Sequence, residues 1–185
     1  MSRDAEFVKL ASSKIIQFML KNEILKILLA GDGGQGIQLL ADIICRAAID
    51  KGLYATSIPN YGLEQRGGVS LSFVQVSAKE IIYPKFTKPD ILLIMSEQAR
   101  ERTKKHQFAE TKIIDIDDFK KKMDNAGVAI KSQNVFFLGM LVKVLFEMNF
   151  CERATVEKLL EKKLGAKLGW EENKKAFANG LICAE

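Results

Sequence analysis

Lys26-Ile27-Leu28-Leu29-Ala30 runs directly into Gly31-Asp32-Gly33-Gly34-Gln35-Gly36, and residues 37–48 follow with apolar side chains at helical spacing. A short apolar run, a glycine cluster and a periodic segment, in that order, read as strand, tight turn and helix. Gly52 ends the helix, and residues 53–58 supply a second apolar strand broken by Pro59. Residues 26–58 therefore read as a βαβ unit, for which a right-handed crossover and parallel pairing of the two strands are expected.

Working outward, residues 60–68 form a polar, glycine-rich loop. In the next segment Val69, Leu71 and Phe73 alternate with Ser70, Ser72 and Val74, which predicts a strand with one partly exposed face. Ile81-Ile82-Tyr83 is expected to pair with it as a hairpin across a polar turn at residues 78–80. Residues 90–95 and 112–116 read as further strands, with Ser96 as the N-cap of a helix starting at Glu97. The C-terminal third reads as three helices, over residues 134–148, 154–164 and 171–179. The fold class is α/β: a Rossmann-like, mostly parallel sheet flanked by helices, with a strand hairpin and a helical C-terminal region. Residues 1–24 are expected to form an amphipathic helix carrying Phe7, Leu10, Ile15, Phe18 and Met19. Residues 25–185 are expected to form a single domain.

The chain has 185 residues, 48% of them hydrophobic, enough for one packed core. Its single histidine, His106, lies in Arg100-Glu101-Arg102-Thr103-Lys104-Lys105-His106, which reads as a solvated helix end. Cys45, Cys151 and Cys183 are far apart and form no Cys-x-x-Cys pair, so neither an iron-sulfur cluster nor a structural zinc site can be assembled from this inventory. An odd cysteine count without an apolar signal-peptide core suggests free thiols in a reducing, cytoplasmic compartment. The longest apolar stretch, residues 135–146, is interrupted by Lys143 and is too short to span a bilayer. The net charge is +5, but the lysines lie beside acidic residues and without interleaved aromatics, so solvated helix faces explain them better than nucleic acid does.

Three readings of the glycine turn stay open on the residues alone. Gly31, Gly33 and Gly36 fit the dinucleotide fingerprint, in which backbone amides at a helix N-terminus approach a phosphate closely. That fingerprint also wants an acid at the end of the second strand, which here ends Thr56-Ser57-Ile58-Pro59-Asn60. Gly31-Asp32-Gly33 with Asn60 instead suggests a magnesium and diphosphate motif, since an aspartate and an amide oxygen suit a hard cation. The third reading is structural, with the glycines allowing the turn and its packing without a ligand.

The combination read in order is more specific. The glycine turn is followed by Tyr61-Gly62-Leu63-Glu64-Gln65-Arg66-Gly67-Gly68-Val69-Ser70, then Ser77, residues 81–84, and Pro89-Asp90. Asn134, Leu138-Gly139, Asn173, Ala176-Phe177 and Gly180 follow. Over about residues 26–180 the chain resembles the gamma subunit, or gamma domain, of the 2-oxoacid:ferredoxin oxidoreductases. The form Arg66-Gly67-Gly68-Val69-Ser70 looks more like the 2-oxoglutarate branch than the pyruvate branch, while Asp32 departs from the commoner family turn.

The resemblance implies a non-catalytic subunit of a complex that decarboxylates a 2-oxoacid with coenzyme A, giving an acyl-CoA and reduced ferredoxin or flavodoxin. It implies thiamine diphosphate, magnesium and iron-sulfur clusters on alpha, beta and delta partner subunits, with no cofactor, nucleic acid or membrane bound by this chain itself. The candidate cofactor-binding or subunit-interface residues are Gly31, Gly33, Gly34, Gln35 and Gly36 of the turn, with Tyr61, Glu64, Arg66, Gly67 and Gly68 of the loop. Two roles are expected for them: lining a coenzyme A channel, or an internal network of Gln35, Glu64 and Arg66 that sets the loop geometry and docks partners. The alternative class is a free-standing nucleotide-binding or redox-sensing module on the same fold.

Overall fold

The computed structural model describes residues 24–61 and 68–184. Five strands form one sheet: β1 (Ile24–Asp32), β2 (Tyr54–Tyr61), β3 (Val69–Ser77), β4 (Ile91–Ile94) and β5 (Lys112–Asp115). Among the described residues six α-helices accompany them: α1 (Ile37–Asp50), α2 (Glu97–Arg102), α3 (Ile116–Asn125), α4 (Gln133–Glu147), α5 (Arg153–Leu164) and α6 (Trp170–Cys183). The N-terminal helix expected over residues 1–24 lies outside the described residues except at Ile24, which begins β1.

The strand order is β2-β3-β1-β4-β5. β1 pairs parallel with β4, and β4 with β5, whereas β3 runs antiparallel to both β1 and β2. Four strands thus point the same way and only β3 is reversed. The expected direct pairing of β1 with β2 is corrected, because β3 lies between them. The strand hairpin is present but has other partners: it is β2 with β3, joined across residues 62–68. The segment at Ile81-Ile82-Tyr83 forms no strand, since β3 already pairs along both edges; Ile82 and Tyr83 are exposed. Pro59 fits its place because β2 is the edge strand, where a missing N–H breaks no ladder bond.

β4, and β1 from Ile27 to Ala30, are apolar throughout because both of their faces are covered. Leu25, Ile27, Leu29, Ile91 and Leu93 point into the larger cluster, under α1, α3 and α4. Leu28, Ala30, Leu92 and Ile94 point into a smaller one with Ala99 of α2, Phe73 and Phe86. On β3 the alternation is present, and the partly exposed face is the one with Val69 and Phe73, where Leu71 is buried. Ser72 is fully buried and Ser70 nearly so, while Val69 and Phe73 on the other face are half-buried. Hydrogen bonds explain it: Gln38 Nε2 of α1 donates to Ser70 Oγ at 3.1 Å and to the Leu71 carbonyl at 3.0 Å, and Ser57 and Ser72 hydroxyls pair at 2.8 Å. A buried hydroxyl is tolerated when bonded.

Helix α3 was not foreseen in the sequence, though its signal is there. The Asp115 side chain caps it by accepting from the Asp117 amide at 3.0 Å, Asp117 and Asp118 complement the dipole, and Ile116, Phe119 and Met123 recur on its buried face. Helices α4 and α6 cross through glycines. A Cβ on Gly139 would lie 2.3 Å from the Phe177 carbonyl oxygen, and one on Gly180 1.9 Å from that of Phe136. Only hydrogens allow two helix backbones so close. His106 is not at a solvated end: it is buried, its Nδ1 bonds the Thr87 carbonyl, and its ring stacks edge-on against Phe73 at 5.6 Å.

Candidate functional site

The C-terminal ends of β1, β2, β4 and β5 and the start of β3 lie along one edge of the sheet, where the two sequence motifs converge. Gly33 N–H donates to the Gly68 carbonyl at 2.9 Å, so the glycine turn is tied to the end of the loop that precedes β3. Of the loop candidates, Glu64, Arg66 and Gly67 lie outside the described residues, and of Tyr61 only the backbone position at the end of β2 is fixed. The expected network of Gln35 with Glu64 and Arg66 lies with them.

α1 follows β1 onto one face of the sheet and α2 follows the neighbouring β4 onto the other. Adjacent parallel strands whose helices diverge in this way open a crevice at their C-terminal ends, the usual ligand position in such sheets. Here the protein fills that crevice with its own side chains. Gln35 accepts the Asp32 amide through Oε1 at 2.7 Å and donates through Nε2 to the Met95 carbonyl at 3.1 Å, pinning the turn after β1 to the end of β4. Ser96 donates to Asp32 Oδ1 at 2.7 Å while accepting the Ala99 amide at 3.1 Å as the N-cap of α2. Ser96 thus does the capping expected of it, and it also holds Asp32.

The turn glycines have separate reasons. Gly31 is flat against Gln35 and Ile37: a Cβ there would come within 2.6 Å of Gln35 Oε1. Gly34 and Gly36 have φ of 96° and 76°, the left-handed region in which side chains are strained. Gly36 is the N-cap of α1 and packs on the Asn134 amide, 2.3 Å from a Cβ position, whereas Gly34 faces open space. Asn134, which the sequence offered only through the family resemblance, is therefore the contact that joins the start of α4 to the turn.

The same geometry weighs against two of the earlier readings. Asn60 is paired to Leu71 of β3, which is paired to Ala30, so β3 separates Asn60 from β1 by two strand spacings, about 10 Å. With Asp32 held by Ser96, the two do not meet as a cation pair. Among the described residues no acid stands at the end of β2 to bind a ribose, and Gln35 bridges the crevice between the ends of β1 and β4.

The sequence profile of the pyruvate ferredoxin/flavodoxin oxidoreductase family (POR) matches residues 26–182. The chain belongs to this family. Among similar POR-family sequences, 2-oxoglutarate synthase subunit KorC of Methanothermobacter marburgensis is 48% identical over 75 residues, which cover 40% of this chain and 40% of the relative. The aligned part is thus well under two thirds of that relative's length. The fold is matched by the keto/oxoacid ferredoxin oxidoreductase gamma subunit of Geobacter sulfurreducens, with a TM-score of 0.70 and 23% identity over 88% of this chain and 97% of that one. It is matched equally by a part of the 2-oxoglutarate:ferredoxin oxidoreductase of Magnetococcus marinus, solved with 2-oxoglutarate, coenzyme A and succinyl-CoA bound. That match has a TM-score of 0.70 and 22% identity over 88% of this chain and 31% of that one.

Among the described residues no three of His, Cys, Asp and Glu gather as ligands. Burial pushes the Cys45 thiol up to about 11, with Asp42 adding to it, and burial pushes Cys151 up to about 12, so neither offers the thiolate that ligation needs. Among the described residues no helix is long and apolar enough to cross a membrane.

Proposed function

We propose that this chain is the gamma subunit of a 2-oxoacid oxidoreductase complex, with 2-oxoglutarate favoured over pyruvate or a branched-chain 2-oxoacid. The complex would carry out coenzyme A-dependent oxidative decarboxylation with reduction of ferredoxin or flavodoxin. The observation that carries the reading is the 48% identity to a 2-oxoglutarate synthase subunit. In this proposal thiamine diphosphate, magnesium and the iron-sulfur clusters reside on alpha, beta and delta partners, because the three scattered thiols here, two of them buried, suit no cluster. The chain is inactive alone and works in the cytoplasm, where free thiols persist.

Within the complex, Gly31, Gly33, Gly34, Gln35 and Gly36, with Tyr61, Glu64, Arg66, Gly67 and Gly68, form an edge that faces coenzyme A or a partner subunit. Gln35 has both amide ends engaged inside the chain, which supports a positioning role for it. Affinity purification of the chain from its native cell tests the assignment. Thiamine- and cluster-bearing partners should copurify, and the preparation should reduce a low-potential dye when given 2-oxoglutarate and coenzyme A. A preparation without those partners overturns it. Arg66→Ala separates the two roles of the loop: a raised KM for coenzyme A in an intact complex supports contact with the ligand, and loss of assembly supports docking.

A further inference from the structure

The face of the sheet that carries α2 is covered unevenly. The smaller cluster lies over the second half of β1, at Leu28 and Ala30, with Leu71 and Phe73 of β3. Toward the start of β1 the same face carries Ile24 and Lys26, since side chains alternate along a strand. They stand opposite Ser77 and Gln75 of β3, and these stand opposite Tyr54 and Thr56 of β2. The chain that follows β3 folds over this end. Gln75 Nε2 donates to the Tyr83 carbonyl at 3.0 Å, and Ser77 Oγ accepts the Lys79 amide at 2.9 Å.

That cover turns apolar side chains outward. Ile82 is 90% exposed and Tyr83 77%, and Tyr54, on the same face, is 51% exposed. Large apolar side chains left open together mark a surface on which something docks. The area they offer is far below the roughly 800 Å² per partner of a stable protein–protein interface, so a free second copy is a poor occupant. A tethered segment suits it better, because a short tether supplies an effective concentration of about millimolar without a large interface.

The chain carries such a segment. Residues 1–23 join the sheet at Ile24, which lies two strand spacings, about 10 Å, from Tyr54. Their sequence sets Phe7, Leu10, Ile15, Phe18 and Met19 near helical spacing, an apolar stripe that the rest of the fold does not account for. We propose that residues 7–19 form an amphipathic helix whose apolar stripe docks on Tyr54, Ile82 and Tyr83. Such a helix is about 20 Å long, enough to cross the β1, β3 and β2 strands at this end. Residues 20–23 reach up to about 14 Å, which covers the distance from Ile24 to the patch. The patch is then an internal interface, closed to partner proteins. The proposal does not depend on the oxidoreductase assignment.

Hydrogen exchange of the full chain, read by mass spectrometry, tests it, with a peptide of residues 1–23 as the unprotected reference. Amides of residues 7–19 should exchange at least about tenfold more slowly in the chain than in the peptide, because burial of several apolar side chains opposes local opening by that factor or more. The double substitution Ile82→Ser and Tyr83→Ser should return them to the peptide's rate, while continued protection of the α4 amides shows that the domain is folded. In the other direction, Ile15→Ser with Phe18→Ser should raise hydroxyl-radical labelling of Tyr54 and Tyr83 about twofold or more as the rings lose their cover. Ile130→Ser, at an 83% exposed apolar residue in the turn before α4, should change neither readout. Peptide-like exchange of residues 7–19 in the parent chain, or protection indifferent to Ile82 and Tyr83, overturns the proposal. Protection that grows with chain concentration also overturns it, in favour of a second copy on the patch. Each of these results stands whether or not the chain assembles with 2-oxoacid oxidoreductase partners.

Discussion

On one side of the sheet, α1, α3 and α4 form a helical layer with α6 packed through glycine contacts onto α4. On the other side, among the described residues, stand the six residues of α2, the short 3-10 turn at His106, and the segment carrying Phe86. The thick side buries serines and bonds them; the thin side leaves Val69 and Phe73 half-buried. Depth of cover therefore sets how polar a strand position can be, and it does so through available donors more than through hydrophobicity. A serine under α1 finds Gln38, whereas Phe73 packs on the smaller cluster and meets the edges of Phe86 and His106, at 5.2 Å and 5.6 Å.

The sharpest way to break this contrast is to spoil the thick side. Gly180→Ala puts a methyl group 1.9 Å from a backbone oxygen that cannot rotate away. We expect a loss of about 3 kcal/mol or more, at the upper end for overpacking, read as a lowered midpoint in urea. A loss below about 1 kcal/mol would mean that α6 can slide freely on α4, contrary to the close crossing.

The seam between the sides comes next. Gln35→Ala strands the Asp32 amide and the Met95 carbonyl together, and we expect about 2 kcal/mol of destabilisation, within the usual cost of unsatisfied groups. Hydrogen exchange localises it: the Asp32 amide should lose protection while the amides of α4 keep theirs. Loss of protection throughout would mean that the pin supports the whole core.

Phe73→Ala on the thin side should cost less than a core truncation, about 1.5 kcal/mol, because the ring is only partly removed from water. Thermal unfolding of Phe73→Ala and Gly180→Ala side by side measures the difference in depth. Equal losses would erase the distinction between the faces.

Much of this architecture was legible before any coordinates. The strand, turn and helix at residues 26–48 were plain because apolar periodicity and glycine placement agree there, and the three C-terminal helices because their apolar spacing is regular. The strand neighbours were not legible. Pairing of β3 between β1 and β2 is a long-range choice, and the local alternation of residues 69–77 fits either side of β1. The burial of the serines was not legible because polar residues usually mark the wet face, and their partner Gln38 is on another element. At the site, the glycines announced the turn, but its pins did not: Gln35 reaches Met95, and Ser96 reaches Asp32, across more than fifty residues of chain.

The smallest expected effect concerns the clasp that joins the two sides at the β5 end. Arg100 of α2, on the thin side, holds Asp115 with two bonds of 2.7 Å and also bonds Asp117 at the start of α3, on the thick side. Lys120, 2.6 Å from Asp117, holds the Asp117 carboxyl below the usual carboxylate range against the opposing effect of desolvation, and Arg100 adds a smaller lowering. A carboxyl whose pKa is lowered on folding binds protons more readily in the unfolded chain. Its contribution is complete above the unfolded value of about 3.9 and fades as pH falls through the lower folded value. Melting temperature followed from pH 6 down to pH 2 should therefore drop less steeply in Asp117→Asn than in the parent, with a small difference because the pair is solvent-screened. Parallel curves would mean that the ion pairs of Asp117 with Lys120 and Arg100 add nothing to stability.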